Sequence, residues 1–313
     1  METTTPKASS LRWAILRQAL LRRRHPQSDD QSQAGVKRIS RKTREGFNLI
    51  PCHLGEDDDD AGSSSKIKQF DNARDVCVCY TLPIEGAPKL YSIQRVDNHA
   101  DLSDFEICNR YDIDNTGLVC HWPSEDVLAY FCLSHADMFR LSKRVIELGS
   151  GYGLAGLVIA AITKALEVVI SDGNPQVVDY IQRNIEVNTG AFGGTKVKPM
   201  ILHWNQEEIL SVANTFDVIV ASDCPRRGDS LDKFLEEVNG SGLHFSITEN
   251  YDPEIWKRHQ RFKNGDDSWP NYEQDHCYPL LLASVLAFSL TSEGAASCSD
   301  QSDELAFARV LTY

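Results

Sequence analysis

The chain has 313 residues, 42% of them hydrophobic and 25% charged, enough to bury a full core but too few for more than about two ordinary domains. That balance excludes wholesale disorder and fibrous repeats, and the longest apolar run, 280–290, falls well short of the ~20 residues of a membrane helix. A formal net charge of −13 argues against nucleic acid as a partner, because phosphate neutralisation needs clustered Lys and Arg.

The charge is unevenly spread. Residues 1–50 carry 11 Lys/Arg against 4 Asp/Glu, a basic arm ahead of an acidic body. Within it Trp13, Leu16 and Leu20 recur at helical spacing with arginines between them, which predicts a basic amphipathic helix over 11–24. Such a helix suits a mitochondrial presequence, an acidic partner, or packing on its own domain. Nine cysteines without a CxxC spacing point to a reducing compartment, cytoplasmic and nuclear. Histidines show no HxxxH pattern and no paired Cys/His spacing of a metal site, so no metal is expected.

Residues 51–121 read as an N-terminal extension. Its run Glu56 to Asp60, followed by Ala-Gly-Ser-Ser-Ser, predicts a solvated acidic loop. The β-rich runs 76–82 and 90–96, separated by Pro83, Gly86 and Pro88, predict two paired strands.

From Trp122 the pattern changes. Ser124 with Glu125 and Asp126 opens a helix expected to reach about His135. Strands are predicted at 145–148, 167–172, 197–202 and 216–222. Asn174 and Pro175 open a helix whose Val177, Ile181 and Ile185 lie four apart. This rhythm means a parallel α/β sheet with crossover helices on both faces.

The most informative segment is 147–156, Glu-Leu-Gly-Ser-Gly-Tyr-Gly-Leu-Ala-Gly, a glycine turn after one strand and before a helix. Gly151, Gly153 and Gly156 meet the spacing of a dinucleotide fingerprint, with Asp172 placed 19 residues after Gly153 to hold a ribose. An NAD-dependent oxidoreductase is therefore one reading. Glu147 points elsewhere, since a carboxylate beside the ligand repels a diphosphate and favours a cation.

With Asp172-Gly173-Asn174, the segment resembles motifs I and II of the seven-strand, class I methyltransferases, which use S-adenosylmethionine. Trp122 to Tyr130 resembles the Trp-Pro-led helix of the protein-lysine methyltransferases in that class. Asn115-Thr-Gly117, His203-Trp204, Ala221-Ser-Asp-Cys224, Glu249-Asn-Tyr-Asp252 and 276–282 together resemble the calmodulin-lysine N-methyltransferase family, over about residues 11–282. The resemblance implies a Rossmann-like sheet over 122–282, monomeric, with S-adenosylmethionine as cofactor and calmodulin as protein substrate. Glu147, Gly149, Gly151 and Gly153 would surround the methionine part and Asp172 the ribose. Trp122, Trp204 and Ala221 would line the rest of the cofactor pocket. Asp223 would face the methyl group and the incoming lysine, with Tyr251 helping to orient the amine. Core packing serves equally for Trp122 and Trp204, and helix capping for Asp223.

Two departures from the family stand out. Cys224 runs directly into Pro225-Arg-Arg-Gly, where the family has a helix and its fifth strand, so a βα unit of roughly thirty residues is missing. Residues 283–313 form an atypical tail. In the family's strand order 3-2-1-4-5-7-6 the loss opens a gap, to be closed by strand seven re-pairing with strand four or left as a broken core. A non-catalytic cofactor- or calmodulin-binding variant is the corresponding alternative.

Overall fold

The computed structural model describes residues 46–54, 75–95, 102–111, 113, 116–119, 123–139, 143–203, 212, 215–222, 236, 240, 244–285 and 306–312. The basic helix of 11–24 and the acidic loop expected after Gly55 lie outside them.

Three antiparallel strands come first, β1 (Cys52–Leu54), β2 (Asp75–Thr81) and β3 (Lys89–Arg95), in the order β1-β2-β3. The expected pair is therefore present, one residue earlier than its apolar runs suggested. Helices α1 (Leu102–Tyr111), α2 (Thr116–Val119) and α3 (Pro123–Ser134) lead into the main sheet. Next come β4 (Arg144–Leu148), α4 (Leu154–Ile162), β5 (Glu167–Asp172), α5 (Pro175–Val187), β6 (Lys196–Ile201) and β7 (Val218–Ser222). The described chain closes with β8 (His244–Thr248), α6 (Pro253–Lys263), α7 (Gln274–Cys277), β9 (Pro279–Val285) and β10 (Ala306–Thr312).

The sheet order is β6-β5-β4-β7-β10-β9-β8. Strands β4, β5, β6, β7 and β10 run parallel, while β9 is antiparallel to both of its neighbours. Burial on both faces explains why these strands read as unbroken apolar runs. Val145, Val168, Ile170 and Val220 enter the large core, and Ile146, Val169 and Leu202 form a second cluster. Helix α4 is apolar all round because it is covered all round, with Leu154 to Ala160 buried throughout. Helix α5 starts where expected, the Asn174 side chain accepting from the Gln176 amide at 2.9 Å.

Neither alternative for the gap, strand seven re-pairing with strand four or a broken core, is what the structure shows. β9 does not meet β7, because β10 lies between them, with Ala308, Arg309 and Val310 opposite Val220, Ala221 and Ser222. The stretch 283–313, set apart in the sequence as a tail, thus supplies an interior strand.

A second correction concerns the arm, whose boundary at residue 50 cuts through the core. Phe47, Leu49 and Ile50 are buried, and the Phe47 ring meets Phe262 and Trp269 edge-on at 5.5 and 5.9 Å. Arg258 of α6 donates to the Phe47 and Asn48 carbonyls. Nothing in the arm's composition marks this step, since Phe47-Asn-Leu-Ile50 is a short apolar run without periodicity.

The small sheet is docked by side chains that take the amides along the outer edge of β3. Asn188 Oδ1 accepts from Tyr91 N at 2.9 Å, Asn184 Oδ1 from Ile93 N at 2.7 Å, and the Tyr152 hydroxyl from Arg95 N at 3.1 Å. Asn184 near the end of α5 and Asn188 at its C-cap, four apart, match amides two apart on the strand, and the edge is covered. Asn184 also donates to the Tyr152 carbonyl at 3.1 Å. Replacing Asn184 by Leu should lower stability by about 2–3 kcal/mol, by stranding the buried Ile93 amide. A urea midpoint equal to that of the wild type would show that the edge does not depend on this residue.

Candidate active site

The site is built at the carboxyl ends of β4 and β5. Gly149, Gly151 and Gly153 have φ of 58°, 57° and 78°, so the chain reverses sharply out of β4 and enters α4 with Gly153 as N-cap. Ser150 N donates to Ser171 O at 3.0 Å and the Ser171 hydroxyl to Glu147 O at 2.6 Å, which ties the bend to β5.

Glu147 is 2% exposed, and its Oε2 accepts from the Gly156 amide in the first turn of α4 at 2.8 Å. This contact discriminates between the two readings of the glycine pattern. A dinucleotide fingerprint presents its helix N-terminus to a pyrophosphate, whereas here the protein's own carboxylate already holds that end. A Cβ on Gly156 would stand 2.7 Å from Glu147 Oε2 and 2.6 Å from Ile170 Cγ1, so its glycine permits this close approach.

Burial raises the Glu147 carboxyl to a pKa of about 8, an effect the Gly156 amide opposes and Glu125 and Asp172 reinforce. Asp172 is raised to about 6, again by burial, against the amides of Asn174, Gly151 and Gly173. Its Oδ1 accepts from Asn174 N at 2.8 Å and its Oδ2 from Gly151 N at 3.2 Å. Both carboxyls face one bend, and an incoming cation favours the charged form of each.

Helix α2 roofs this bend. A Cβ on Gly117 would lie 3.6 Å from Gly151 Cα and 3.7 Å from Asp172 Oδ2, and the Tyr152 hydroxyl donates to Leu118 O at 2.8 Å. Gly117 belonged to the ordered motif series in the sequence without a role in the site, and Tyr152 had no role assigned there at all. Neither role is visible without the tertiary contact. Two buried polar atoms beside the bend, Ser150 Oγ and Asn174 Nδ2, have no protein partner among the described residues. They suit a ligand that brings its own acceptors.

The structure therefore gathers Glu147, Gly149, Gly151, Gly153 and Asp172, with Ala221 of β7 paired beside Leu148 of β4. It does not bring Tyr251 to them. The Tyr251 hydroxyl donates to the Pro279 carbonyl at 2.8 Å, at the start of β9, three places from β4, and its ring packs on Phe131 and Tyr278. Asp252 next to it caps α6, so the Tyr-Asp pair anchors that helix and the start of β9 instead of reaching a substrate. Trp122, Trp204 and Asp223 lie outside the described residues. Among the described residues no group of His, Cys, Asp and Glu is arranged to hold a metal, and no helix is long and apolar enough to cross a membrane.

A mainly parallel sheet in this order, with its one antiparallel strand and a carboxylate-flanked glycine bend, defines a class I methyltransferase, and the family profile of lysine methyltransferases matches residues 111–240. The calmodulin-lysine N-methyltransferase of Arabidopsis thaliana is 57% identical over 312 residues, covering 90% of this chain and 98% of that one. The chain belongs to the calmodulin-lysine N-methyltransferase family. The human protein-lysine N-methyltransferase EEF2KMT is 28% identical over 148 residues, 44% of each chain. Among solved structures, precorrin-6y C5,15-methyltransferase of Geobacter metallireducens aligns over 40% of this chain and 79% of that one, at 12% identity and a TM-score of 0.30, a likeness too slight to argue from. An alignment of 312 positions that takes in only 90% of a 313-residue chain leaves about thirty positions with no residue here, the size of one βα unit.

Proposed function

We propose that this chain transfers the methyl group of S-adenosylmethionine to a lysine side chain of calmodulin. One observation carries the choice of cofactor: Glu147 occupies the helix N-terminus that a diphosphate would need and turns the bend into a receptor for positive charge. When bound, the cofactor supplies an electrophilic methyl group on a cationic sulfur. Glu147, Gly149, Gly151 and Gly153 would hold its methionine part, and Asp172 with Asn174 its ribose. Ala221 would form the wall beside it. Trp122 and Trp204 are assigned to the same pocket by their place in the motif series.

The chain's remaining task concerns a proton. A lysine of pKa ~10.4 is almost wholly protonated at neutral pH, so presenting the free amine costs about 4–5 kcal/mol unless the site lowers that pKa. Fixing amine and methyl group in line at the carboxyl end of β7 contributes the orientational part of catalysis. Asp223, the residue after Ser222, is assigned to orient the amine by accepting its hydrogen bond. Tyr251, committed to Pro279, is not.

An acidic enzyme body repels an acidic substrate. The basic arm relieves this by supplying the cationic surface, and the enzyme acts as a monomer in cytoplasm and nucleus. Deleting residues 2–44, which spares Phe47 and the core, should weaken calmodulin binding several-fold at low ionic strength, with the difference shrinking as salt is added. Equal affinity at low salt would remove the arm from recognition.

The activity is tested by mass spectrometry of unmethylated calmodulin incubated with the chain and S-adenosylmethionine. Methyl-sized increments on a lysine are expected. They should fall at least tenfold in rate with Asp223→Ala, while affinity for S-adenosylhomocysteine stays unchanged. Unmodified calmodulin in the presence of bound cofactor would mark a binding protein instead.

A further inference from the structure

We infer that residues 306–312 serve as the sheet's fifth strand, replacing from the carboxyl-terminal end of the chain the strand that is missing after Cys224. Strand for strand, the observed order β6-β5-β4-β7-β10-β9-β8 matches the order 3-2-1-4-5-7-6, with β10 in the fifth strand's place. Its direction is also right. β10 pairs with β9 in antiparallel register over its whole length, Ala306 opposite Val285 through Thr312 opposite Pro279. Since β9 opposes the rest of the sheet, a hairpin partner of β9 is necessarily parallel to β7, as a fifth strand must be. A strand parallel to its immediate predecessor requires a crossover, whereas β10 takes its orientation from antiparallel pairing with β9.

The alternative, β9 moving next to β7, would need no tail at all. It would also narrow a sheet whose width matches the helix above it, since α3 contacts β7, β10 and β9 in turn. β7 is an interior strand, with Val218, Val220 and Ala221 at 2%, 0% and 0% exposure. Without a neighbour its second row of amides and carbonyls would be buried unpaired, which folded proteins avoid. By register Arg309 lies opposite Ala221, the residue two before Asp223, so β10 also fixes the strand that ends at the proposed methyl-transfer position.

Hydrogen exchange on the full chain, read by mass spectrometry, tests this directly. Amides of 306–312 are expected to exchange at least a hundredfold more slowly than in an unstructured peptide and to open together with those of β7. Free-chain exchange rates there would overturn the inference. In parallel, Val310→Pro removes a ladder donor from β10, and should lower the melting temperature and release protection in β9. Ser299→Pro, in the connection between β9 and β10, should do neither. Wild-type melting of Val310→Pro would equally overturn it. Neither readout involves cofactor or substrate, so failure here is separate from failure of the proposed activity.

Discussion

Gly153→Ala should cost this protein about 2–5 kcal/mol and most of its cofactor binding. Two independent causes add at this position. The residue sits at φ 78°, where any side chain costs about 1–2 kcal/mol. Its Cβ would also stand 2.7 Å from Ile170 Cγ2, in a fully buried part of the core where overpacking costs about 1–3 kcal/mol. The melting temperature should fall by roughly 5–15 °C. Gly190→Ala is the matched control, because nothing lies within 4 Å of its Cβ, and it should melt within about 1–2 °C of the wild type. If the two variants behave alike, the bend is not the packed, left-handed turn described here.

Glu147→Gln should separate stability from binding. The folded carboxyl, at about 8, lies above its unfolded value. The contribution of Glu147 to stability is therefore fully present below the ordinary carboxylate range, and is lost as the pH rises through 8. Ionising it in the empty site costs on the order of 4 kcal/mol. Gln keeps an oxygen for the Gly156 amide and never ionises. The variant should thus melt like the wild type near pH 4 and at an increasingly higher temperature up to pH 8.5, while binding S-adenosylmethionine at least tenfold more weakly. Wild-type affinity should rise from pH 6 to pH 8.5 as the carboxyl becomes available to a cation, and that slope should vanish in the variant. A variant destabilised at pH 8.5 and unchanged in affinity would mean that Glu147 is only a helix cap.

The parallel half of the fold was legible because burial on both faces writes itself as apolar runs, and a glycine bend followed by an acid at the end of the next strand has few structural meanings. The roles of Tyr152, Gly117 and Asn184 were not legible, because each depends on a contact between segments more than thirty residues apart, with no local signal. Tyr251 was misassigned for a related reason. It was assigned through the Glu249-Asn-Tyr-Asp252 resemblance alone, with no strand predicted before it; sequence carries no information on which way its hydroxyl turns, and Pro279 takes it. The gap after Cys224 was visible in the sequence, yet its repair was not. A strand's partner is set by which edge remains open, and the run 306–312 shows only that it is able to be a strand. Phe47 was missed because a single aromatic inside a charged arm has no periodicity to mark it as core.

The most direct test is a calorimetric titration of the purified chain with S-adenosylmethionine and, separately, with S-adenosylhomocysteine and NAD. Saturable one-to-one binding of the first two, the methylated donor being favoured more as the pH is raised, with no heat from the dinucleotide, is the predicted result. Binding of NAD, or of neither adenosyl compound, would contradict it.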